Sequence, residues 1–135
     1  MLPASLQPKV IGMDWTYDPQ NIFARILRGE IPNRTVAESE HTLVFEDIHP
    51  HAPVHLLAIP KGAYVSFDHF SAKASEDEIV DFHRTLARVI AGLNLSNPDG
   101  YRAITNTGAA GMQEVAHYHL HILGGRILGR LVDPG

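Results

Sequence analysis

The most regular pattern in the sequence is His117-Tyr118-His119-Leu120-His121-Ile122-Leu123. Its histidines alternate with large apolar or aromatic residues. In a strand, this alternation places the three imidazoles on one face and packs the other face into a core. Gly124 and Gly125 follow and are expected to end the strand. The stretch therefore predicts three titratable rings side by side on one surface.

Three adjacent imidazoles suit phosphate chemistry. An imidazole titrates at about pH 6.5, so one ring can act as a neutral nucleophile while another, protonated, binds an anion. The preceding Gly108–Gly111 connection allows backbone N–H groups close to phosphate oxygens, and Asn106 and Gln113 add neutral hydrogen-bonding groups. Alternating histidines also ligate zinc, although no carboxylate or cysteine is clearly placed to complete such a site. The residues alone leave phosphate and metal chemistry open.

Upstream of this stretch, the chain predicts a short amphipathic helix and three strands. Asp18 is a candidate N-cap, Pro19 suits the first helical position, and Gly29 closes the pattern. The apolar residues between them at helical spacing are Ile22, Phe23, Ile26 and Leu27. Three β-favouring runs at 35–37, 42–45 and 55–59 predict consecutive antiparallel strands.

A longer helix is predicted after Ser75, which forms a capping box with Glu78. Its apolar face is expected to comprise Ile79, Phe82, Leu86, Val89, Ile90 and Leu93. The charged residues Asp81, Arg84 and Arg88 fall between these positions and are expected to face solvent. Strands at 101–105 and 117–123 complete an α+β domain of about five strands and two helices.

Composition limits the classes of protein that the chain can represent. Its 135 residues, 44% of them hydrophobic, suffice for one compact domain, expected at 18–135 after a tail of uncertain order at 1–17. A net charge of -4 argues against nucleic-acid polymers as partners, and no stretch has the roughly 20 apolar residues of a membrane helix. Without cysteine there is no disulfide framework, and we expect a cytoplasmic, soluble protein.

The triad pattern, in which apolar residues follow each of three alternating histidines, resembles the signature of the histidine-triad (HIT) superfamily. Residues 21–32 and 45–55, together with Gly100-Tyr101-Arg102 and Gly124-Gly125-Arg126, resemble the Hint branch of purine nucleoside phosphoramidases in order and spacing. The resemblance implies a HIT-like fold with a five-stranded antiparallel sheet and two helices, paired as a homodimer with a continuous sheet. It further implies AMP or GMP derivatives as ligands, with no cofactor and no metal.

The same resemblance implies roles for individual residues. His119 would be the nucleophile that forms a nucleotidyl-histidine intermediate, His121 would contact the phosphate and assist the leaving group, and His117 and His55 would orient them. The nucleoside pocket would be formed by Ile22, Phe23, Ile26, Phe45, Asp47 and Ile48. The surroundings of the phosphate would be formed by Asn106, Gly111, Gln113, Glu114 and Val115.

Some of these residues have plainer interpretations. Asp47 would accept hydrogen bonds from ribose hydroxyls, but an acidic residue in a turn often caps backbone N–H groups instead. An apolar helix stripe such as that of Ile22, Phe23 and Ile26 is usually core. The remaining histidines are assigned no chemical role and are expected to be solvated; they are His41, His49, His51, His69 and His83.

Glu114 departs from the best-known eukaryotic members of the branch, which carry serine there, close to the phosphate and the scissile bond. A carboxylate repels phosphate oxygens unless it is protonated or turned toward the leaving group, so Glu114 is predicted to alter leaving-group preference toward an amine or ammonium. His121 at the third triad position favours a hydrolase, because nucleotidyltransferase relatives carry Gln there. A dinucleoside polyphosphate hydrolase and a nucleotide-binding regulatory protein with incidental hydrolysis are the alternatives.

Overall fold

Five strands form a single antiparallel sheet in the computed structural model, which describes residues 14–132. They are β1 (Thr35–Glu38), β2 (Thr42–Glu46), β3 (Val54–Pro60), β4 (Tyr101–Ile104) and β5 (Leu120–Gly124). Their spatial order is β1-β2-β3-β5-β4, and every neighbouring pair is antiparallel. The predicted α+β class and five-stranded sheet are confirmed, whereas most of the predicted tail, and residues 133–135, lie outside the described residues.

In the described part of the chain, three helices accompany the sheet, rather than the two that were predicted. They are α1 (Ile22–Leu27), α2 (Phe67–Lys73) and α3 (Glu76–Gly92). The α2 helix has one buried side chain, Phe70, so its sequence carries no apolar period, and the Ser66 side chain that caps its first turn is the main local signal. No helix within residues 14–132 is long and apolar enough to cross a membrane.

The ends of α1 differ in how well the sequence predicts them. The N-cap is Asn21, whose side chain accepts a hydrogen bond from the backbone N–H of Ala24, and not Asp18 as predicted. Asp18 lies one turn earlier, where its carbonyl oxygen accepts from Asn21. Gly29, with a positive φ of 77°, follows the last turn as predicted.

The α3 helix confirms its predicted capping box but not the exposure of all its charges. Asp81 was expected to face solvent; instead its carboxylate accepts hydrogen bonds from Ser39 Oγ at 2.6 Å, Thr42 Oγ1 at 2.8 Å and the backbone N–H of His41 at 3.2 Å. The helix packs across the β1–β2 hairpin, and Asp81 meets the polar groups there. At the other end of α3, Leu93 is the C-cap and is 48% exposed, so it does not belong to the core face.

The sheet has two unlike faces. One face is covered by α3, and its core includes Val44, Leu56 and Ile122 packed with Phe82 and Tyr118. The other face has its own cluster, formed by Leu43, Phe45, Leu57 and Ile59 of the sheet with Phe23 and Ile26 of α1. A single helix of six residues is too short to cover this second face completely, so part of it remains open for a site.

Candidate active site

The predicted last strand begins later than expected, at Leu120 rather than His117. Ladder pairing with β3 runs from Val54↔Gly124 to Ala58↔Leu120 and then stops, so His117 and His119 precede the strand and only His121 lies within it. The prediction that the histidines share a face opposite the core residues is nevertheless consistent with the packing. Tyr118 and Ile122 enter the α3 core, while His119 and His121 line a cavity on the α1 side.

This cavity has a volume of about 440 Å³ and brings together most of the proposed site residues. From the nucleoside group it is lined by Ile22, Phe23, Ile26, Phe45, Asp47 and Ile48, and from the phosphate group by Asn106, Gln113, Glu114 and Val115. His55, His119 and His121 also line it. Apolar side chains from α1 and β2 thus meet imidazoles from β3 and β5 in one concave site, as is typical of small-molecule sites.

Two proposed site residues are not among those that line the cavity. His117 is completely buried behind it. Gly111 lies in the loop before β5, where an added Cβ would approach the backbone oxygen and nitrogen of Thr107 to 2.7 and 2.8 Å. Gly111 therefore permits a tight loop, and its contact is with the protein backbone.

Sequence reasoning also missed residues that do line the cavity, notably His49, His51 and Met112. Both histidines lie on a loop and are exposed, as expected, but the sequence did not indicate that they border the cavity. His69, also expected to be solvated, is half-buried in α2, where its ring stacks on Trp15 at 4.7 Å. These positions depend on tertiary packing, which the local sequence does not encode.

His119 has a tautomer that its surroundings determine. Its Nδ1 lies 2.7 Å from the carbonyl oxygen of His117, and because a carbonyl only accepts, Nδ1 must carry the hydrogen. In the neutral ring Nε2 is then unprotonated and holds a free lone pair. The ring packs edge-to-face against Phe23, with centroids 5.0 Å apart. His119 thus has the form that a nucleophile or base requires.

His121 has the opposite tautomer. The backbone N–H of His51 donates to Nδ1 of His55 at 3.0 Å, so the proton of neutral His55 lies on Nε2. That Nε2–H donates to Nδ1 of His121 at 2.9 Å, which places the His121 proton on its own Nε2. Of the two triad histidines that line the cavity, His119 therefore has a lone pair on Nε2 and His121 has a hydrogen on Nε2.

Asp47 follows β2 and has two contacts. Its Oδ1 accepts from the backbone N–H of His49 at 2.8 Å, which is the turn-capping interpretation raised for this residue. Its Oδ2 lies 3.4 Å from Nε2 of His55. The carboxylate therefore both shapes the loop and places negative charge beside the His55–His121 pair.

Burial lowers the pKa of four histidines in and behind the cavity, namely His55, His117, His119 and His121. It lowers the pKa of His121 to about 4, with nearby His119 and His55 acting in the same direction. It lowers the pKa of His117, also to about 4. Burial also lowers the pKa of His119 and of His55, against the opposing charge of Asp47. These four rings are therefore neutral near pH 7, and His119 and His121 differ in tautomer and not, as the sequence had suggested, in charge.

The side-chain amide of Gln113, which lines the cavity, also braces the loop before β5. Its two side-chain N–H groups donate to the carbonyl oxygens of Val65 at 2.7 Å and Val115 at 2.9 Å. Its Oε1 accepts from the backbone N–H of Gly108 at 3.0 Å. An amide has only two N–H donors, so none is left for a phosphate oxygen.

A group that can hold a metal ion is formed by Asp47, His55 and His121, whose ligand atoms all lie within 4.8 Å of one another. The expectation that no carboxylate is placed to complete a metal site was therefore wrong, because the chain after β2 brings Asp47 to the histidines. One carboxylate oxygen and two imidazole nitrogens suit zinc. Binding would, however, require His55 Nε2 to release the proton that it donates to His121.

Comparisons with known proteins agree with this geometry. The model of the HIT domain family matches residues 28–128. An uncharacterised 13.2 kDa HIT-like protein of Azospirillum brasilense is 52% identical over 120 residues, which cover 89% of this chain and 98% of its own length. The purine nucleoside phosphoramidase of Escherichia coli is 39% identical, covering 84% and 93%. The solved HIT family hydrolase of Clostridium thermocellum superposes with a TM-score of 0.71 at 33% identity, covering 84% and 97%.

Proposed function

The chain belongs to the HIT family, and on that basis we propose that it is a nucleotide hydrolase that cleaves the bond between the α-phosphate of a purine nucleoside monophosphate and an amine or acyl leaving group. The observation that carries the proposal is the pair of opposite tautomers at the cavity: a lone pair on His119 and an N–H on His121. A nucleophile and a proton donor are the two groups that such a displacement requires.

In the first step, the Nε2 lone pair of His119 attacks the α-phosphorus. A phosphorus–nitrogen bond to His119 forms while the bond to the leaving group breaks. The charge of the bound phosphate attracts a further proton to the His55–His121 pair, and Asp47, 3.4 Å from His55 Nε2, balances it. His121 donates its Nε2 proton to the leaving group, which departs as a neutral amine or acid, and the added proton leaves the His55–His121 pair neutral.

In the second step, water attacks the phosphorus of the nucleotidyl-histidine. The proton of the water returns to His121, the bond from phosphorus to His119 Nε2 breaks, and the nucleoside monophosphate is released. Throughout both steps Nδ1–H of His119 remains bonded to the carbonyl of His117, which stabilises the positive charge on the substituted ring. None of these steps requires a metal.

The apolar part of the cavity fits the nucleoside. Phe23 and Phe45 stand edge-to-face with centroids 5.8 Å apart, and Ile22, 43% exposed, and Ile48, 73% exposed, flank the opening. A purine buries a flat apolar surface between such side chains. The closeness of Asp47 to this region supports its proposed contact with ribose hydroxyls.

The partner that we propose besides the nucleotide is a second copy of the chain. The β4 strand is at the edge of the sheet, so one side of its backbone is available to extend the sheet with β4 of another copy. The large apolar side chains of Ile127, Leu131 and Val132, near the end of the chain, are also exposed. Light scattering coupled to gel filtration should give twice the 14.9 kDa chain mass, and a monomer would contradict the homodimer.

The hydrolase proposal is tested with a fluorogenic adenosine phosphoramidate. We expect turnover by the wild type that EDTA does not change, and a fall of at least about a thousandfold in His119→Ala, since the nucleophile is removed. His83→Ala, an exposed histidine on α3, is the matched control and should retain full activity. Undiminished turnover in His119→Ala would rule out the nucleophile, and no turnover by the wild type would favour a nucleotide-binding regulatory protein.

A second candidate function is the binding of a divalent cation such as zinc, favoured by the close approach of Asp47, His55 and His121. Isothermal titration of the protein with zinc should then show one site that Asp47→Ala weakens. Turnover that is lost on chelation and restored by zinc would replace the metal-free scheme. Turnover unaffected by EDTA, with no zinc heat, would remove this candidate.

A further inference from the structure

Residues 14–20, here called the N-terminal strap, run across the protein from α2 to the start of α1. Trp15 holds one end: its ring stacks on His69 with centroids 4.7 Å apart, and its Nε1–H donates to Asp68 at 3.3 Å. At the other end Arg28 donates to the carbonyl oxygen of Pro19 at 2.6 Å. The strap lies before residue 28, where the match to the family model begins.

Between these two ends, Tyr17 reaches the buried first histidine of the triad. Its hydroxyl lies 2.6 Å from Nδ1 of His117. The other ring nitrogen, Nε2, lies 2.8 Å from the carbonyl oxygen of Pro60 and must carry the hydrogen, because a carbonyl only accepts. Neutral His117 therefore has a lone pair on Nδ1, and Tyr17 donates its O–H to it. Burial raises the pKa of Tyr17, so the hydroxyl keeps this proton.

The contact between Tyr17 and His117 can influence His119 because His117 hydrogen-bonds to both residues. The His117 ring is held at both nitrogens, by Tyr17 on one side and Pro60 on the other, and it has no remaining polar atom with which to bond elsewhere. Fixing the ring fixes the backbone to which it is attached, and the carbonyl of His117 is the acceptor for Nδ1–H of His119. The direction of the His119 lone pair thus depends on where His117 is held.

We propose that Tyr17 is a positioning residue for the triad: its hydroxyl holds His117, and His117 in turn holds the tautomer and direction of His119. The proposal rests on the proposed function, in which His119 is the nucleophile. Tyr17 is not among the residues that line the cavity, so it acts on the reaction without touching the nucleotide. Its loss should therefore reduce turnover and leave substrate affinity unchanged.

The test is Tyr17→Phe, which removes the hydroxyl and keeps the ring that meets His117 edge-on at 5.5 Å. We expect kcat to fall by about three- to tenfold, the loss of one hydrogen bond, with KM unchanged. In ¹⁵N spectra of the histidine rings, the His117 Nδ1 resonance should move toward that of a nitrogen without a hydrogen-bond donor. Tyr118→Phe, whose ring packs on Phe70 in the opposite core, is the matched control and should change neither.

Trp15 is the sole tryptophan, so its fluorescence reports whether the strap stays docked in the variant. If its emission is unchanged, an unaltered kcat or an unaltered Nδ1 resonance in Tyr17→Phe overturns the proposal. If the Trp15 emission of Tyr17→Phe shifts, the strap has moved, and the test is instead made on protein with 3-fluorotyrosine at position 17. The fluorine strengthens the O–H donor, and the Nδ1 resonance must then move in the opposite direction from that in Tyr17→Phe, or the proposal fails.

The experiments distinguish failure of the proposed hydrolase function from failure of the proposed role of Tyr17. Absence of turnover by the wild type, or full turnover by His119→Ala, refutes the hydrolase but leaves the Nδ1 resonance as a measure of the bond from Tyr17. An unmoved Nδ1 resonance refutes the role of Tyr17 whatever the activity.

Discussion

Replacing Gln113 by alanine tests whether its side-chain amide stabilises the loop before β5 or binds the phosphate directly. The change removes two part-buried hydrogen bonds, to Val65 and Val115, and a more exposed one from Gly108. Each part-buried hydrogen bond contributes about 0.5–1.5 kcal/mol, so the substitution should destabilise the ordered conformation of the loop by about 1–3 kcal/mol. The substrate must then order this loop when it binds, so KM should rise by about 5- to 150-fold, with kcat little changed.

The assay is steady-state hydrolysis of an adenosine phosphoramidate, with kcat and KM determined separately. Gln20→Ala, an exposed glutamine before α1, is the matched control and should leave both unchanged. A fall in kcat of tenfold or more in Gln113→Ala with constant KM would refute the reasoning, because it would mean that the amide contacts the phosphate in the transition state. Such a result would require the Gln113 side chain to exchange its present partners on binding.

Replacing Glu114 by serine should change the ratio of kcat/KM between AMP-amine and acyl-AMP substrates in favour of the acyl-AMP, and an unchanged ratio would refute a role in leaving-group preference. Gly111→Ala should cost about 1–3 kcal/mol in unfolding free energy and raise KM, since its Cβ meets the Thr107 backbone, whereas Gly92→Ala, which meets nothing within 4 Å, should not destabilise. Burial raises the pKa of Asp81, but its hydrogen bonds lower it below the usual value, so its contribution to stability is complete above about pH 4 and is lost as the pH falls through the lowered value. The difference in urea unfolding free energy between wild type and Asp81→Asn should therefore shrink from pH 7 to pH 3, and a constant difference would contradict it.

The parts of the fold that the sequence predicted are those with a strong local period. The alternation around His119 and Ile122 identified which side chains enter the core, and the capping box at Ser75 located the start of α3. The α2 helix has no such period and was missed. Asp81 was misplaced for a related reason: helical spacing shows that it is off the apolar face but not that a polar hairpin packs there.

In the candidate site, too, some features could be predicted from the sequence and others could not. Family resemblance located most residues that line the cavity, yet the hydrogen-bonded partners of those residues are distant in sequence. Tyr17 and His117 are 100 positions apart, and His55 and His121 are 66 apart. Neither contact produces a periodic pattern in the sequence, because each depends on how separate structural elements pack together. The bracing contacts of Gln113 were not predicted because its residue type suits a phosphate ligand and a loop brace equally, and its N–H partners become known only from the packed loop.

The late start of β5 explains why neighbouring triad histidines have opposite tautomers. Had the ladder begun at His117, the carbonyl of His117 would be expected to pair with a neighbouring strand, as backbone carbonyls do in a sheet. Because the strand starts at Leu120, that carbonyl is available to accept Nδ1–H of His119. His121 lies inside the ladder, and its Nδ1 accepts from His55 of β3 instead. The same alternating sequence thus gives a ring with a lone pair on Nε2 just before the strand and a ring with a hydrogen on Nε2 within it.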